Sequence, residues 1–280
     1  MSVIRLLVID VDGTLIGASG TPTPSVQEAI GLALDHGLAV ALCSGRPLAS
    51  CAPIARALRL PGPHIVFNGA LVKALDAPEA VLRRPLPPPA VGDLIDHARA
   101  ANLCLELYTE TTHYVEQDRI ESRLHALSIR VTYEITNLDA FRGRSDVIKA
   151  QIITADDHAR TATRRLAEEF ADRLAFSTAI PMAPCEGMEC VNIVDRSVSK
   201  GAAVRTLIAY HGLTPDEVAG VGDAANDLPM FEAVGLRIAM GNADPAVKAR
   251  ADLVCPDVEQ DGLAQAINWI LGMRRSSGPI

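Results

Sequence analysis

The feature that most constrains the fold is an apolar segment at residues 3–9 that ends directly in two aspartates, Asp10 and Asp12. A short apolar run bounded by a turn predicts a buried strand, and Gly13 and Thr14 supply the turn. Two carboxylates held at one strand end repel each other, and burial adds a desolvation cost. We therefore expect a cation beside them, either a metal ion or a lysine.

Strands and helices alternate at both ends of the chain. The N-terminal part predicts strands at 38–43 and 64–67, with helices at 24–36 and 47–60 between the strands. The C-terminal part repeats this rhythm, with strands predicted at 190–194, 218–221 and 236–240 and helices at 201–210, 228–234, 244–250 and 262–271. This alternation predicts an α/β fold with a parallel sheet covered on both faces. Ligands of such sheets bind at the carboxyl ends of the strands.

The middle of the chain has a different pattern. A proline-rich stretch at 85–89 indicates a boundary, and helices and strands then follow in α+β order. Because 280 residues suffice for two ordinary domains, we predict an α/β core formed by residues 1–83 and 189–280. An α+β domain formed by residues 84–188 would be inserted into it.

Composition limits the partners of the chain. A formal net charge of -8 argues against nucleic acid or an anionic membrane as the main partner, since both require clustered Lys and Arg. No apolar run reaches the length of a membrane span. The six cysteines lack zinc-ligand spacing, so we expect reduced thiols and a cytoplasmic location. The expected assembly is a monomer or a small homo-oligomer.

Two later segments are individually ambiguous. The second predicted strand ends in Ser44-Gly45-Arg46, where a hydroxyl and backbone N–H groups could bind an anion. Taken alone, the segment fits an ordinary turn with an N-capping serine better. Lys200 opens a predicted helix, although the first helical turn favours acidic residues. This conflict indicates either a functional lysine or a harmless exposed one.

A further segment is more specific. The apolar strand predicted at 218–221 ends in Gly222-Asp223, and Asn226-Asp227 follow at the start of a helix. Two carboxylates and an amide would meet at one strand end. This is the oxygen-ligand chemistry that suits Mg²⁺.

These segments, in this order, resemble the motifs of the haloacid dehalogenase superfamily of phosphatases. Asp10-Val11-Asp12-Gly13-Thr14-Leu15 and Gly222-Asp223-x-x-Asn226-Asp227 carry most of the resemblance. The inserted domain is similar to the large C2B-like cap of the Cof-type branch, and Asn68-Gly69-Ala70 is similar to a recurring piece of it. The resemblance implies a Rossmann-like core and a Mg²⁺-dependent phosphatase. Ser44 stands where threonine is more usual, and either residue supplies the hydroxyl.

The resemblance also implies a division of roles. Asp10 would attack phosphorus to form an aspartyl phosphate, Asp12 would act as acid and base, and Lys200 would complete the catalytic set. The implied metal ligands are Asp10, Asp12 through its backbone carbonyl, Asp223 and Asp227. The implied substrate-binding residues are Ser44, Gly45, Arg46, Asn68, Lys200 and Asn226.

The substrate implied by the resemblance is a small phosphorylated metabolite, such as a sugar phosphate. Candidate contacts to its leaving group are Arg46, the loop at 181–188, Glu106 and Tyr108, although core packing or solvent exposure better explains any single one of these cap residues. Four histidines without a metal-ligand partner in the sequence, His64, His97, His113 and His125, are interpreted as structural. Two alternatives stay open: a phosphosugar mutase of the same superfamily, and a non-enzymatic module that binds phosphate or metal for regulation.

Overall fold

The structure is a computed structural model that describes residues 2–179 and 184–276. The chain divides into two compact units. The core unit comprises Met1–Ser44, Cys51–Leu82 and Ser199–Ile280, and the inserted unit comprises Gly45–Ser50 and Arg83–Val198. Among the described residues, no helix has the length and apolar character needed to cross a membrane.

The strands of these residues are, in chain order, β1 (Leu6–Ile9), β2 (Ala39–Leu42), β3 (His64–Val66), β4 (Leu71–Lys73), β5 (Leu82–Arg83), β6 (Cys104–Tyr108), β7 (His113–Val115), β8 (Glu134–Ile135), β9 (Lys149–Thr154), β10 (Leu174–Ala179), β11 (Glu189–Asp195), β12 (Val218–Gly222), β13 (Leu236–Ala239) and β14 (Leu253–Val254). The helices are α1 (Pro24–Asp35), α2 (Leu48–Ala57), α3 (Pro88–Ala100), α4 (Ile120–Ile129), α5 (Asp157–Glu169), α6 (Lys200–Tyr210), α7 (Leu228–Phe231), α8 (Pro245–Lys248) and α9 (Gly262–Ser276).

The core unit is built on a parallel sheet in the order β14-β13-β12-β1-β2. All four residues of β1 are buried, as expected for a strand covered on both faces. Because β1 lies between β2 and β12, the three carboxyl ends meet at one edge of the sheet. The predicted α/β fold with an inserted α+β domain is confirmed. This edge is where Asp10, Ser44 and Asp223 leave their strands.

The third predicted strand differs from its expected place. β3 pairs antiparallel with β4 in a separate sheet of order β3-β4-β5, and it contacts the end of β2 through a parallel Cys43–Ile65 bridge. Phe67 and Asn68 have positive φ values of 52° and 58°, so the chain turns back at once. Because a parallel connection needs a long crossover, so tight a turn joins β3 to an antiparallel neighbour, β4.

The inserted unit contains a mixed sheet in the order β10-β11-β9-β6-β7-β8. Its apolar face packs against α3 and includes Leu105, Leu107 and Ile152. The sequence pattern groups residues 190–194 with the parallel core, which is wrong, because β11 pairs antiparallel with β10 and β9. The five central residues of β11 are all buried and four of them are apolar, and such a largely apolar buried run is typical of parallel strands. The two units consequently divide after Val198 rather than at residue 188.

Candidate active site

The site begins where β1 and its neighbour β12 end. Asp10 follows β1 directly, and its backbone N–H donates to the carbonyl of Val221 at 3.0 Å. Asp223 follows β12 in the same way. The register that pairs Ile9 with Val221 therefore places both carboxylates at one edge of the parallel sheet.

Lys200 bridges two buried carboxylates at this edge. Its Nζ lies 2.5 Å from Asp10 Oδ1 and 2.6 Å from Asp227 Oδ1. The lysine is 2% exposed, and Asp227 is fully buried. Although burial alone would lower the pKa of Lys200, the negative charges of Asp10 and Asp227 raise it well above its ordinary value. A charged ammonium is thus held beside the two carboxylates.

Asp227 also organises the turn after β12. Its second oxygen, Oδ2, accepts hydrogen bonds from the backbone N–H groups of Asp223 and Ala224, both at 3.0 Å. Gly222 makes this close approach possible, since a Cβ there would lie 2.5 Å from Asp227 Cγ. Asp227 therefore has both oxygens engaged within the protein, one by Lys200 and one by the turn.

Thr14 orients the carboxylate of Asp223. Its buried Oγ1 donates to Asp223 Oδ1 at 2.8 Å. Gly13 has a φ of +80°, and a Cβ at this position would lie 2.3 Å from Asp223 Oδ2, so only glycine leaves room for the carboxylate. The sequence reasoning assigned no role to Thr14. The signal that could have found it is its place in the turn after the Asp10–Asp12 pair.

The three carboxylates form a group that suits a cation. Oxygens of Asp10, Asp223 and Asp227 lie within 4.8 Å of one another. Lys200 forms ion pairs with two of these carboxylates, Asp10 and Asp227. Burial and the neighbouring Asp227 raise the pKa of Asp223 to about 6. Burial raises the pKa of Asp10 well above its ordinary value; Lys200 lowers it, and the charges of Asp227 and Asp223 raise it further. One lysine against three carboxylates leaves an excess of negative charge that a divalent metal would offset.

Asp12 stands apart from this group. Its side chain is half-buried and is not one of the three whose oxygens come together. The metal ligand that the sequence motif implies for Asp12 is its backbone carbonyl and not its carboxyl group. Asp12 is nevertheless close enough to contribute to the raised pKa of Asp223.

Three further predicted site residues, Ser44, Asn68 and Asn226, are neighbours in the core unit. The backbone N–H of Asn68 donates to the carbonyl of Ser44 at 3.0 Å, and Asn226 Nδ2 approaches Asn68 Oδ1 at 3.5 Å. Asn68 Nδ2 and Asn226 Oδ1 are buried without a hydrogen-bond partner. Buried amide groups are normally satisfied, so these two atoms mark places where a polar ligand would be stabilised.

The remaining predicted residues belong to the inserted unit. Gly45 and Arg46 are part of the segment Gly45–Ser50, and Arg46 Nη1 donates to Ser50 Oγ at 3.1 Å. Glu106 is fully buried, and its Oε2 accepts from Tyr108 Oη at 2.7 Å. The same oxygen lies 2.8 Å from His125 Nδ1 and 3.2 Å from His113 Nε2. Of the predicted loop at 181–188, residues 181–183 lie outside the described part of the chain.

The chain matches a model of haloacid dehalogenase-like hydrolases over residues 7–267. It is 26% identical to the pyridoxal phosphate phosphatase YbhA of Escherichia coli, with 94% of this chain and 97% of that protein aligned. A solved haloacid dehalogenase-like hydrolase from Bacteroides thetaiotaomicron has 25% identity and a TM-score of 0.86, covering 95% of this chain and 99% of that one.

A sugar phosphatase of haloacid dehalogenase subclass IIB shares the fold, with a TM-score of 0.80 at 19% identity and coverage of 94% and 98%. The match to the family model extends into all three segments of the core unit and over the whole inserted unit. It includes the ends of β1 and β12, which carry Asp10 and Asp223, and the start of α6, which carries Lys200. The chain therefore belongs to the haloacid dehalogenase-like hydrolase family, as the sequence motifs indicate.

Proposed function

We propose that this protein is a Mg²⁺-dependent phosphatase that hydrolyses a small phosphorylated metabolite through an aspartyl phosphate on Asp10. The observation that carries the proposal is the buried Lys200 ammonium, 2.5 Å from one oxygen of Asp10. It lies at the edge of the parallel sheet where the carboxylate of Asp223 also lies. A carboxylate attacks a phosphate dianion only where positive charge offsets their repulsion. The relative named as a pyridoxal phosphate phosphatase supports this reaction class.

Asp10 is the proposed nucleophile. Lys200 binds Oδ1 of Asp10 and so holds the carboxylate in one orientation, which leaves Oδ2 for attack on phosphorus. Mg²⁺ held by Asp10, Asp223 and the carbonyl of Asp12 would offset the negative charge shared by nucleophile and phosphate. Asp227 supports this arrangement from behind, since its oxygens hold Lys200 and the turn at Asp223.

Asp12 is the proposed general acid and base. In the first step its carboxyl group gives a proton to the leaving alkoxide, as the bond from phosphorus to that oxygen breaks. In the second step the carboxylate takes a proton from water, which attacks the aspartyl phosphate and releases inorganic phosphate. The separation of Asp12 from the group of three carboxylates supports this division between nucleophile and acid.

The phosphoryl oxygens would be bound by Lys200, Ser44 and the amides of Asn226 and Asn68. The buried Asn68 Nδ2, a donor without a partner among the described residues, supports an oxygen ligand here. Gly45 would add its backbone N–H, and Arg46 stays a prediction as a contact to the leaving group. The cytoplasmic location and the monomer or small homo-oligomer also stay predictions from the sequence.

A phosphomonoester screen tests the proposed function. Purified protein with Mg²⁺ is expected to release inorganic phosphate from small phosphate esters, and chelation of the metal is expected to abolish release. A phosphosugar mutase would instead isomerise its substrate, with little free phosphate and a requirement for a bisphosphate activator. A regulatory module would bind phosphate or metal without turnover. Either result would contradict the phosphatase.

An Asp12→Asn variant is expected to accumulate the phosphoenzyme. The amide cannot take a proton from water, so hydrolysis of the aspartyl phosphate should slow by about 10²–10⁴-fold. An activated aryl phosphate needs little help from an acid, so the first step should persist with such a substrate. Rapid-quench measurement of covalently bound phosphate checks this expectation. Equal rates of phosphoenzyme breakdown in variant and wild type would exclude Asp12 as the base.

A Thr14→Val variant is expected to bind Mg²⁺ about 10–100-fold more weakly. Valine keeps the shape of threonine but removes the hydroxyl that donates to Asp223 Oδ1, so the carboxylate loses its fixed orientation. Calorimetric titration with Mg²⁺ measures the affinity directly. Thr206→Val is the matched control, because the hydroxyl of Thr206 donates to the carbonyl of Ala202 within α6. Equal Mg²⁺ affinities in the two variants would contradict the role of Thr14.

A further inference from the structure

Asn242 is an exposed residue of the loop that follows β13, and its side chain joins two other segments of the core unit. Its Nδ2 donates to the backbone carbonyl of Gly13 at 2.8 Å, and its Oδ1 accepts from the backbone N–H of Val258 at 3.0 Å. Because one partner is an acceptor and the other is a donor, only one orientation of the amide satisfies both. Asn242 therefore fixes the turn after β1 against the segment after β14.

The carbonyl held by Asn242 belongs to the peptide that joins Gly13 to Thr14. The turn is tight here, since Gly13 has a φ of +80° and its N–H donates to the carbonyl of Ile16 at 2.9 Å. From this turn the hydroxyl of Thr14 donates to Asp223 Oδ1 at 2.8 Å. The place of the Gly13–Thr14 peptide thus sets the position from which the Asp223 carboxylate is held.

The loop of Asn242 also contacts the backbone at Asp223. The N–H of Asp244, two residues after Asn242, donates to the carbonyl of Asp223 at 3.0 Å. The N–H of Met240, two residues before Asn242, donates to the carbonyl of Gly222 at 3.1 Å. The contacts form a closed ring, because this loop binds the backbone of Asp223 directly and reaches its carboxylate through the turn after β1.

The contribution of Asn242 is to geometry rather than to burial. Its two hydrogen bonds lie at the exposed surface, where water is able to replace each of them, but two separate waters would not fix the distance between two loops. A Cβ at Gly241 would lie 2.5 Å from the backbone nitrogen of Asp257. The loop after β13 is thus packed closely on the segment after β14, and the amide of Asn242 starts from a fixed backbone.

We propose that Asn242 is a positioning residue for the metal site: by fixing the Gly13–Thr14 peptide, it holds the Asp223 carboxylate in the orientation that binds Mg²⁺. The inference rests on the proposed function, which assigns Asp223 to the metal, and it adds a residue that acts on this ligand through others. Groups that orient a metal ligand from outside its shell contribute to metal affinity. Asn242 lies one contact beyond Thr14, so its effect should be smaller than that of Thr14.

An Asn242→Ala variant is expected to bind Mg²⁺ about three- to tenfold more weakly, the effect of one neutral hydrogen bond. Calorimetric titration measures the dissociation constant. The Mg²⁺ concentration for half-maximal activity should rise by the same factor, while kcat at saturating Mg²⁺ stays within about twofold of the wild type. Gln27→Ala is the matched control, because Gln27 Nε2 donates to the carbonyl of Pro22 at 2.9 Å at an exposed position of the same unit.

A second variant breaks the same connection without changing Asn242. Val258→Pro removes the N–H that donates to Asn242 Oδ1. Proline suits this position, because a short 3₁₀ helix begins at Val258 and the preceding Asp257 has extended backbone angles, with φ -61° and ψ 154°. Val258→Pro should also weaken Mg²⁺ binding. The double variant Asn242→Ala/Val258→Pro should bind Mg²⁺ within about twofold of Asn242→Ala alone, since both changes remove one connection.

The outcomes separate this role from the proposed function. Wild-type affinity in Asn242→Ala, an equal loss in Gln27→Ala, or additive losses in the double variant would overturn the role of Asn242. A loss that only follows the unfolded fraction, measured by chemical denaturation without Mg²⁺, would do the same. A wild type that binds Mg²⁺ but releases no phosphate would instead overturn the proposed phosphatase, and a weaker affinity in Asn242→Ala would then still support the positioning role.

Discussion

An Asp10→Asn variant is expected to hydrolyse phosphomonoesters about 10⁴-fold more slowly than the wild type, or slower still. The amide is nearly the same size as the carboxylate but is a poor nucleophile, so no aspartyl phosphate should form. It also removes one of the three carboxylates that draw a cation to this strand end. Steady-state hydrolysis of an aryl phosphate, with rapid-quench detection of bound phosphate, measures both effects.

The Asp10→Asn substitution should leave the fold intact. Lys200 keeps its second partner, Asp227, at 2.6 Å, and the loss of a desolvated charge offsets the loss of one ion pair. Thermal unfolding should therefore stay close to that of the wild type. Asp35→Asn, at the exposed end of α1, provides a control with the same change of charge. A rate for Asp10→Asn within tenfold of this control would contradict the covalent mechanism.

The grouping of the charged residues could be predicted because it depends on local patterns and one topological rule. Asp10 and Asp223 each follow an apolar run, and parallel strands bring their carboxyl ends to one edge. Two adjacent carboxylates also required a cation, and the structure brings Lys200 to Asp10 from 190 residues away along the chain. This grouping of charges does not depend on where any helix begins or ends.

Partner choice within the site could not be predicted in this way. The sequence predicts Asp227 only as part of the metal shell; that its Oδ2 also accepts from the N–H groups of Asp223 and Ala224 depends on the shape of one turn. Thr14 reaches Asp223 only because β1 and β12 are neighbours. The prediction that β11 belongs to the parallel core is wrong for a similar reason. A strand buried on both faces has much the same apolar pattern in a parallel and in an antiparallel sheet.

A Lys200→Met variant is expected to lose stability as well as activity. Methionine fills a similar volume, but Asp10 and Asp227 would be left buried without their shared ammonium. Breaking a buried ion pair by removing one partner costs about 3–5 kcal/mol, so the free energy of unfolding should fall by about that amount. Chemical denaturation without Mg²⁺ measures it. The kcat of the folded fraction should also fall by about 10²–10³-fold.

The double variant Lys200→Met/Asp227→Asn separates a lost ion pair from a simple packing defect. An asparagine at 227 still accepts from the backbone N–H groups of Asp223 and Ala224 through its Oδ1, but it carries no charge that needs Lys200. If uncompensated negative charge is what destabilises Lys200→Met, the two changes together should cost at least about 1 kcal/mol less than the sum of the single changes. Additive costs would mean that Lys200 acts through packing alone. Non-additive costs would mean that Lys200 acts through its charge. Because the same ammonium holds Asp10 for attack, the loss of stability and the loss of kcat would in that case have one electrostatic cause.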